Sequence, residues 1–227
     1  MLAGISNAEM DSLASTLRSD RLQVDVLHVD VLHVDLADEC SIAALVEKSN
    51  EAERVAIASG IYISSSALTT SRAEIDSVLA INLYGVFFTA QHYARAMISR
   101  KSGSIVAIGS ISGRFPRLGQ VAYGAAKAGM RQALRVLALE TVPHGVRINL
   151  ISPGPTESEM MRKLIADHPN MANLADGNLE SFRPPIPDAH VGQPDQVAAA
   201  AAFLLSPDSS HISFHDLYLD GGETLGI

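Results

Sequence analysis

The chain has little of what would place it outside the cell, in a bilayer or on nucleic acid. It holds one cysteine, Cys40. No internal disulfide can form, which suits a reducing, cytoplasmic compartment. Cys40 itself reads as a small apolar or surface residue at a helix start. Acidic residues outnumber basic ones, 25 against 17, for a formal net charge of −8. With no basic block, this balance argues against a nucleic-acid or anionic-membrane partner. The longest apolar run, Val197 to Leu205, falls far short of the ~20 residues of a membrane span. No basic-then-apolar signal opens the chain. Glycine is also scarce where it would matter for binding a dinucleotide. Before Asp35 there is only Gly4, so neither Gly-x-x-x-Gly-x-Gly nor Gly-x-Gly-x-x-Gly occurs there.

What is present is a chain of 227 residues, 47% hydrophobic. That length and composition suit one α/β domain over 1–227 with a sizeable core. Asn7 to Arg18 predicts an amphipathic helix with Met10, Leu13, Ala14 and Leu17 on one face. Val24-Asp-Val-Leu-His28 is repeated at once as Val29-Asp-Val-Leu-His33. One copy makes a normal strand, and the odd-length insertion predicts a bulge, loop or overhang. Ser41 to Asn50 predicts a helix and Arg54 to Ala58 the next strand. Ser71 caps a helix running to about Arg100, whose apolar pattern is interrupted at Asn82 and Gly85. Strands follow at Gly103–Gly109, Arg147–Ser152 and Leu217–Leu219, with a last major helix from Pro194. The polar stretch from Thr156 to about His190 reads as a substrate-covering segment. Alternating strands and helices predict a doubly wound parallel sheet.

Ser110 to Lys127 carries the chemistry. Ser110 ends a predicted strand, Tyr123 follows 13 positions later, and Lys127 lies one helical turn beyond on the same face. Open α/β sheets place ligands at the carboxyl ends of their strands. A free phenol, with a pKa near ~10, is a poor base at neutral pH, and a nearby ammonium is expected to lower that value. A serine hydroxyl can hydrogen-bond a substrate oxygen as charge develops on it. The pattern therefore fits proton transfer coupled to hydride transfer at a carbinol or carbonyl carbon. Gly109-Ser-Ile-Ser-Gly113 lacks the serine position of a nucleophile elbow, which removes a hydrolase reading. His211, His215 and Asp216 flank a predicted strand without a partner set, so no metal site is expected.

These residues, with Asp35-Leu-Ala-Asp38, Ile81-Asn-Leu-Tyr-Gly85, Arg147-Ile-Asn-Leu-Ile-Ser-Pro-Gly154 and Asp220-Gly-Gly222, resemble the short-chain dehydrogenase/reductase family over nearly the whole chain. Narrower segments, such as Pro116-Arg-Leu-Gly119 and Ser181-Phe-Arg-Pro-Pro-Ile-Pro187, resemble family members that oxidise cyclic dihydrodiol carboxylates. The resemblance implies a Rossmann-like sheet lacking the first strand, the first helix and most of the second strand, with Met1–Gly4 as a remnant. Under that reading, either the Val24–Val34 strand closes on Arg54–Ala58 or two sheet edges stand open. The resemblance further implies a catalytic tetrad of Asn82, Ser110, Tyr123 and Lys127. Cofactor contacts would come from Asp35, Gly60, Tyr123, Lys127, Pro153, Gly154, Thr156 and Ser158.

Arg117 and Arg183 are candidate partners for a substrate carboxylate, because a guanidinium matches a carboxylate bidentately. The expected cofactor is NAD, with NADP open, because the strand end that selects between them is missing. The expected partners are a small alcohol or ketone and further copies of the chain in a homo-dimer or homo-tetramer. The absent glycine-rich turn keeps a second expectation alive: a pseudoenzyme without cofactor, acting as a partner subunit.

Overall fold

Apolar side chains on both faces of the two central strands, such as Ile105, Val106, Ile148 and Ile151, are fully buried and draw four strands side by side. The computed structural model describes residues 2–4, 31–167 and 173–225. The expected helix Asn7–Arg18 and the first copy of the repeat lie outside these residues. β1 (Leu2–Gly4) pairs in parallel with β2 (Val31–His33). A second sheet contains β3 (Arg54–Ile57), β4 (Gly103–Ile108), β5 (Val146–Pro153) and β6 (Asp216–Leu219), all parallel in the order β3-β4-β5-β6. β2 therefore pairs with β1 rather than closing on β3. Among the described residues, the outer edge of β3 pairs with no strand.

Helices cover both faces of the larger sheet, as parallel strands require. On one side lie α3 (Val86–Arg100) and α4 (Val121–Thr141). Their Val86, Ala90, Tyr93, Met97, Met130 and Leu134 pack on Ile105, Ala107, Ile148 and Leu150. On the other side, α6 (Pro194–Leu205) sets Ala201 and Leu204 against Val106 and Ile151. The strand period of two divides these sets between the faces. α1 (Glu39–Lys48), capped by Asp38, packs Ile42 and Leu45 with Val34 and Leu36. Cys40 sits exposed in its first turn.

Ser71 and Glu74 form a reciprocal capping box at α2 (Arg72–Leu79). The helical run then passes through a π-turn, Ala80–Gly85, into α3. Arg72–Arg100 is long and apolar enough to cross a bilayer, yet α3 carries Ala90, Tyr93, Ala94 and Met97 into the core. Gly85 is needed where this run crosses the chain after β2. A Cβ there would meet the carbonyl of Leu36 and come within 2.8 Å of its Cβ. Beyond β5, α5 (Glu159–Asp167) and irregular turns form the predicted excursion over the sheet's carboxyl end. α4 is latched to β6 as well: Arg131 Nε lies 2.6 Å from Asp216 Oδ2, and Ser152 Oγ donates to Asp216 Oδ1 at 2.5 Å.

Candidate active site

Strand β4 delivers Ser110 to the site and helix α4 delivers Tyr123 and Lys127. Ser110 is extended (φ −169°, ψ 149°), and its Oγ accepts the Ser112 N–H at 3.1 Å. The turn that follows lies close to α4. A Cβ on Gly124 would sit 3.1 Å from the Ser112 carbonyl oxygen, a tight approach that glycine relieves. Lys127 is buried, and its Nζ donates to the Ile108 carbonyl at 2.8 Å, closing helix onto strand. The same Nζ stands 5.7 Å from the centre of the Tyr123 ring.

Asn82 occupies the π-turn and is fully buried. Its Oδ1 accepts the Ile61 N–H at 2.8 Å and its Nδ2 donates to the Ile61 carbonyl at 2.7 Å. The side chain thus substitutes for a strand partner and fixes the segment after β3. A Cβ on Gly60 would lie 3.1 Å from Asn82 Oδ1 and 3.7 Å from Lys127 Nζ. Three of the expected tetrad therefore meet at Gly60 or across the Tyr123 ring, with Ser110 beside the phenol.

The electrostatics differ from expectation at Tyr123. Burial pushes its phenol above the ordinary value, with the Ser110 hydroxyl pulling down and Tyr62 reinforcing the rise. Burial also pushes Lys127 down to about 8. Loss of water dominates at the phenol, and the Lys127 ammonium is turned onto the Ile108 carbonyl.

A cavity of about 690 Å³ opens over these groups. Gly60, Ser110, Tyr123, Lys127, Pro153, Gly154, Thr156 and Ser158 all line it, as do Arg117 and Arg183. Asn82 stands behind the wall. Asp35 is not in the lining; it is exposed, and its carboxylate accepts the Ala37 N–H at 2.9 Å. Tyr62, Gln120 and Glu223 were not singled out from sequence. Tyr62 packs edge-on to Tyr123, with ring centres 5.1 Å apart. Its phenol is raised by burial, while Ser64, Gln120 and the charge of Arg183 pull it down. Glu223 lies in the Asp-Gly-Gly-Glu run, and its carboxylate meets Arg117 at 2.8 Å and Arg183 at 3.2 Å. Tyr62 sits two residues past Gly60 and Gln120 three before Tyr123, the only signals the sequence held for them.

One end of the cavity combines close backbone with free N–H donors, the features a cofactor ribose would need. Gly60 lets the backbone lie against Lys127, and Lys127 keeps further N–H donors beyond the one given to Ile108. Gly154 packs where a Cβ would come within 2.9 Å of Asp220. No glycine-rich turn for the diphosphate occurs in the sequence of the first 35 residues.

Ser110, Tyr123 and the buried Lys127, lining one cavity at the carboxyl end of a parallel sheet flanked by helices, belong to an α/β fold of the Rossmann kind. A family model described as "Enoyl-(Acyl carrier protein) reductase" matches residues 4–224. The chain belongs to the short-chain dehydrogenase/reductase family. It is similar to the Vibriobactin-specific 2,3-dihydro-2,3-dihydroxybenzoate dehydrogenase of Vibrio cholerae, with 38% identity over 67% of this chain and 58% of that one. It is also similar to the 2,3-dihydro-2,3-dihydroxybenzoate dehydrogenase of Escherichia coli, with 30% identity over 84% and 79% of the two chains. Galactitol 2-dehydrogenase of Cereibacter sphaeroides is 35% identical over 84% and 75%. With the Vibrio protein and its Bacillus subtilis counterpart, the match spans only 58% and 60% of the relative's length. The solved structure of levodione reductase superposes with a TM-score of 0.87 at 26% identity, covering 99% of this chain and 87% of that one.

Proposed function

We propose that the chain transfers a hydride between NAD(P) and a ring carbon bearing a secondary alcohol or ketone, on a cyclic carboxylate of the 2,3-dihydro-2,3-dihydroxybenzoate kind. The observation that carries this reading is the convergence of Ser110, Tyr123 and Lys127 on one cavity that also holds Arg117 and Arg183. The dihydrodiol relatives support the substrate class.

Tyr123 is the general acid/base at the substrate oxygen. Its raised pKa makes the protonated phenol the resting form, suited to protonate the oxygen in the reductive direction. In the oxidative direction the phenol first gives its own proton to solvent, and the phenolate then takes the substrate hydroxyl proton as hydride leaves the carbon. Ser110 donates to the same oxygen and orients it. Lys127 holds its charge beside the phenol and, with Pro153, Gly154, Thr156 and Ser158, would hold the nicotinamide end of the cofactor. The bound nicotinamide supplies the hydride acceptor or donor. Asn82 keeps Gly60 and Ile61 in place behind Lys127. Arg117 and Arg183 hold the substrate carboxylate. NAD is the cofactor we favour. A homo-dimer or homo-tetramer is supported by Tyr84, Val136 and Leu139, apolar residues left exposed on the helical run and α4.

The test is dehydrogenation of 2,3-dihydro-2,3-dihydroxybenzoate by the purified chain, followed through reduced-nicotinamide absorbance. Arg183→Ala is expected to raise KM for the acid at least tenfold; an unchanged KM removes Arg183 from the substrate site. A second reading is favoured by the absent glycine-rich turn: a partner subunit that binds no cofactor. Titration with NADH and NADPH, read by their fluorescence, separates the two.

A further inference from the structure

The two arginines assigned above to a substrate carboxylate already share one. Glu223 has a side chain 0% exposed, and Arg117 and Arg183 are 11% and 10% exposed. Arg117 Nη2 donates to Glu223 Oε1 at 2.8 Å, and Arg183 Nη2 lies 3.2 Å from both Glu223 oxygens. The Nε–H groups of both arginines are buried with no partner among the described residues. The nearest further carboxylate on that loop, Asp220, accepts the backbone N–H groups of Gly222 and Thr224 instead. The cluster therefore carries two positive charges against one negative, almost out of water and at the lining of the cavity. A buried unmatched charge is unfavourable until an ion of opposite sign meets it.

We infer that Glu223 is a specificity-determining residue: it holds Arg117 and Arg183 side by side and leaves them one positive charge, so the site takes a single carboxylate in preference to a neutral group or a dianion. This rests on the carboxylate reading proposed above and deepens it. With Glu223 removed the pair would carry two charges and favour two. Glu223 would touch the substrate only through the arginines, which makes it a positioning residue whose removal changes selectivity rather than the proton chemistry at Tyr123.

Calorimetric binding of benzoate, benzamide and phthalate to the full chain tests this without turnover. The wild type is expected to bind benzoate at least tenfold more tightly than benzamide, and phthalate no more tightly than benzoate. Glu223→Gln is expected to raise the affinity for phthalate relative to benzoate at least tenfold. Glu223→Gln with Arg183→Gln, again at one net charge, is expected to restore the wild-type order. An unchanged phthalate-to-benzoate ratio in Glu223→Gln overturns the inference and leaves Glu223 a packing residue. Equal binding of benzoate and benzamide by the wild type overturns the carboxylate reading itself, so the two failures are distinct. If Glu223→Gln does not fold, Arg183→Gln alone brings the site to zero charge. The benzoate preference should then fall below twofold, and its persistence overturns the inference.

Discussion

Lys127→Met should make the protein more stable while removing its activity. Burial holds the ammonium at about 8 where an exposed lysine stands at 10.5. At 1.36 kcal/mol per pKa unit, that difference corresponds to about 3 kcal/mol of destabilisation at neutral pH. Methionine fills nearly the same volume without the charge. It forfeits the hydrogen bond to the Ile108 carbonyl, worth about 1–2 kcal/mol. The net gain at pH 7 is about 1–2 kcal/mol, or a Tm rise of roughly 2–8 °C for a chain of this size.

The pH dependence gives the sign. Between about 8 and 10.5 the folded lysine has released its proton while the unfolded one keeps it. The unfolded state then binds more protons, so wild-type stability rises with pH through that window. The variant lacks that contribution, and its advantage must shrink from pH 7 to pH 10. The sequence has no tryptophan, so urea unfolding is best followed by far-UV circular dichroism. A variant less stable than wild type at pH 7, or a gap that stays constant to pH 10, would refute the reasoning.

Further predictions concern single positions. Tyr123→Phe removes the proton donor while keeping the ring against Tyr62, and kcat should fall by about 10²–10⁴ with Tm nearly unchanged. Asn82→Ala leaves the Ile61 N–H and carbonyl without their buried partner and should destabilise by about 2–4 kcal/mol, measured by denaturant titration. Gly85→Ala drives a methyl into Leu36, which should lower stability by about 1–3 kcal/mol in the same assay. Asp216→Asn loosens the Arg131 ion pair between β6 and α4. It should destabilise by about 1–3 kcal/mol while leaving KM for the substrate within twofold, by thermal melting and steady-state kinetics.

The parts of the fold written in local pattern were the parts legible in the sequence. β4 is a short apolar run after a glycine, β5 carries Val146, Ile148, Leu150 and Ile151, and Ser71 with Glu74 announces the start of α2. The spacing of Ser110, Tyr123 and Lys127 is itself a geometric statement once a strand and a helix are placed, and the cavity lining contains all three. Asn82 and Gly85 registered as breaks in an apolar helix, but a π-turn adds one residue without changing composition, so its form stayed hidden. Glu223 was out of reach for a different cause. It lies 106 positions from Arg117 and 40 from Arg183, and nothing local marks a carboxylate that becomes buried by distant partners. The burial that raises the Tyr123 phenol was also out of reach, because spacing reports the neighbouring charge and not the loss of water.

Helix α4 carries Tyr123, Lys127 and Arg131 at intervals of four, and each is tied to a different part of the sheet: the turn after β4, the end of β4, and β6. Four residues advance slightly more than one turn, so the three ties form a shallow spiral of rungs. Sliding or rolling the helix would break all three at once. Tyr123, the proposed acid–base group, is therefore clamped to its strand, whereas Arg117 and Arg183, proposed to meet the substrate, come from loops. A lineage can rework those loops for a new ring or a new acid and leave the proton-handling spine as it stands.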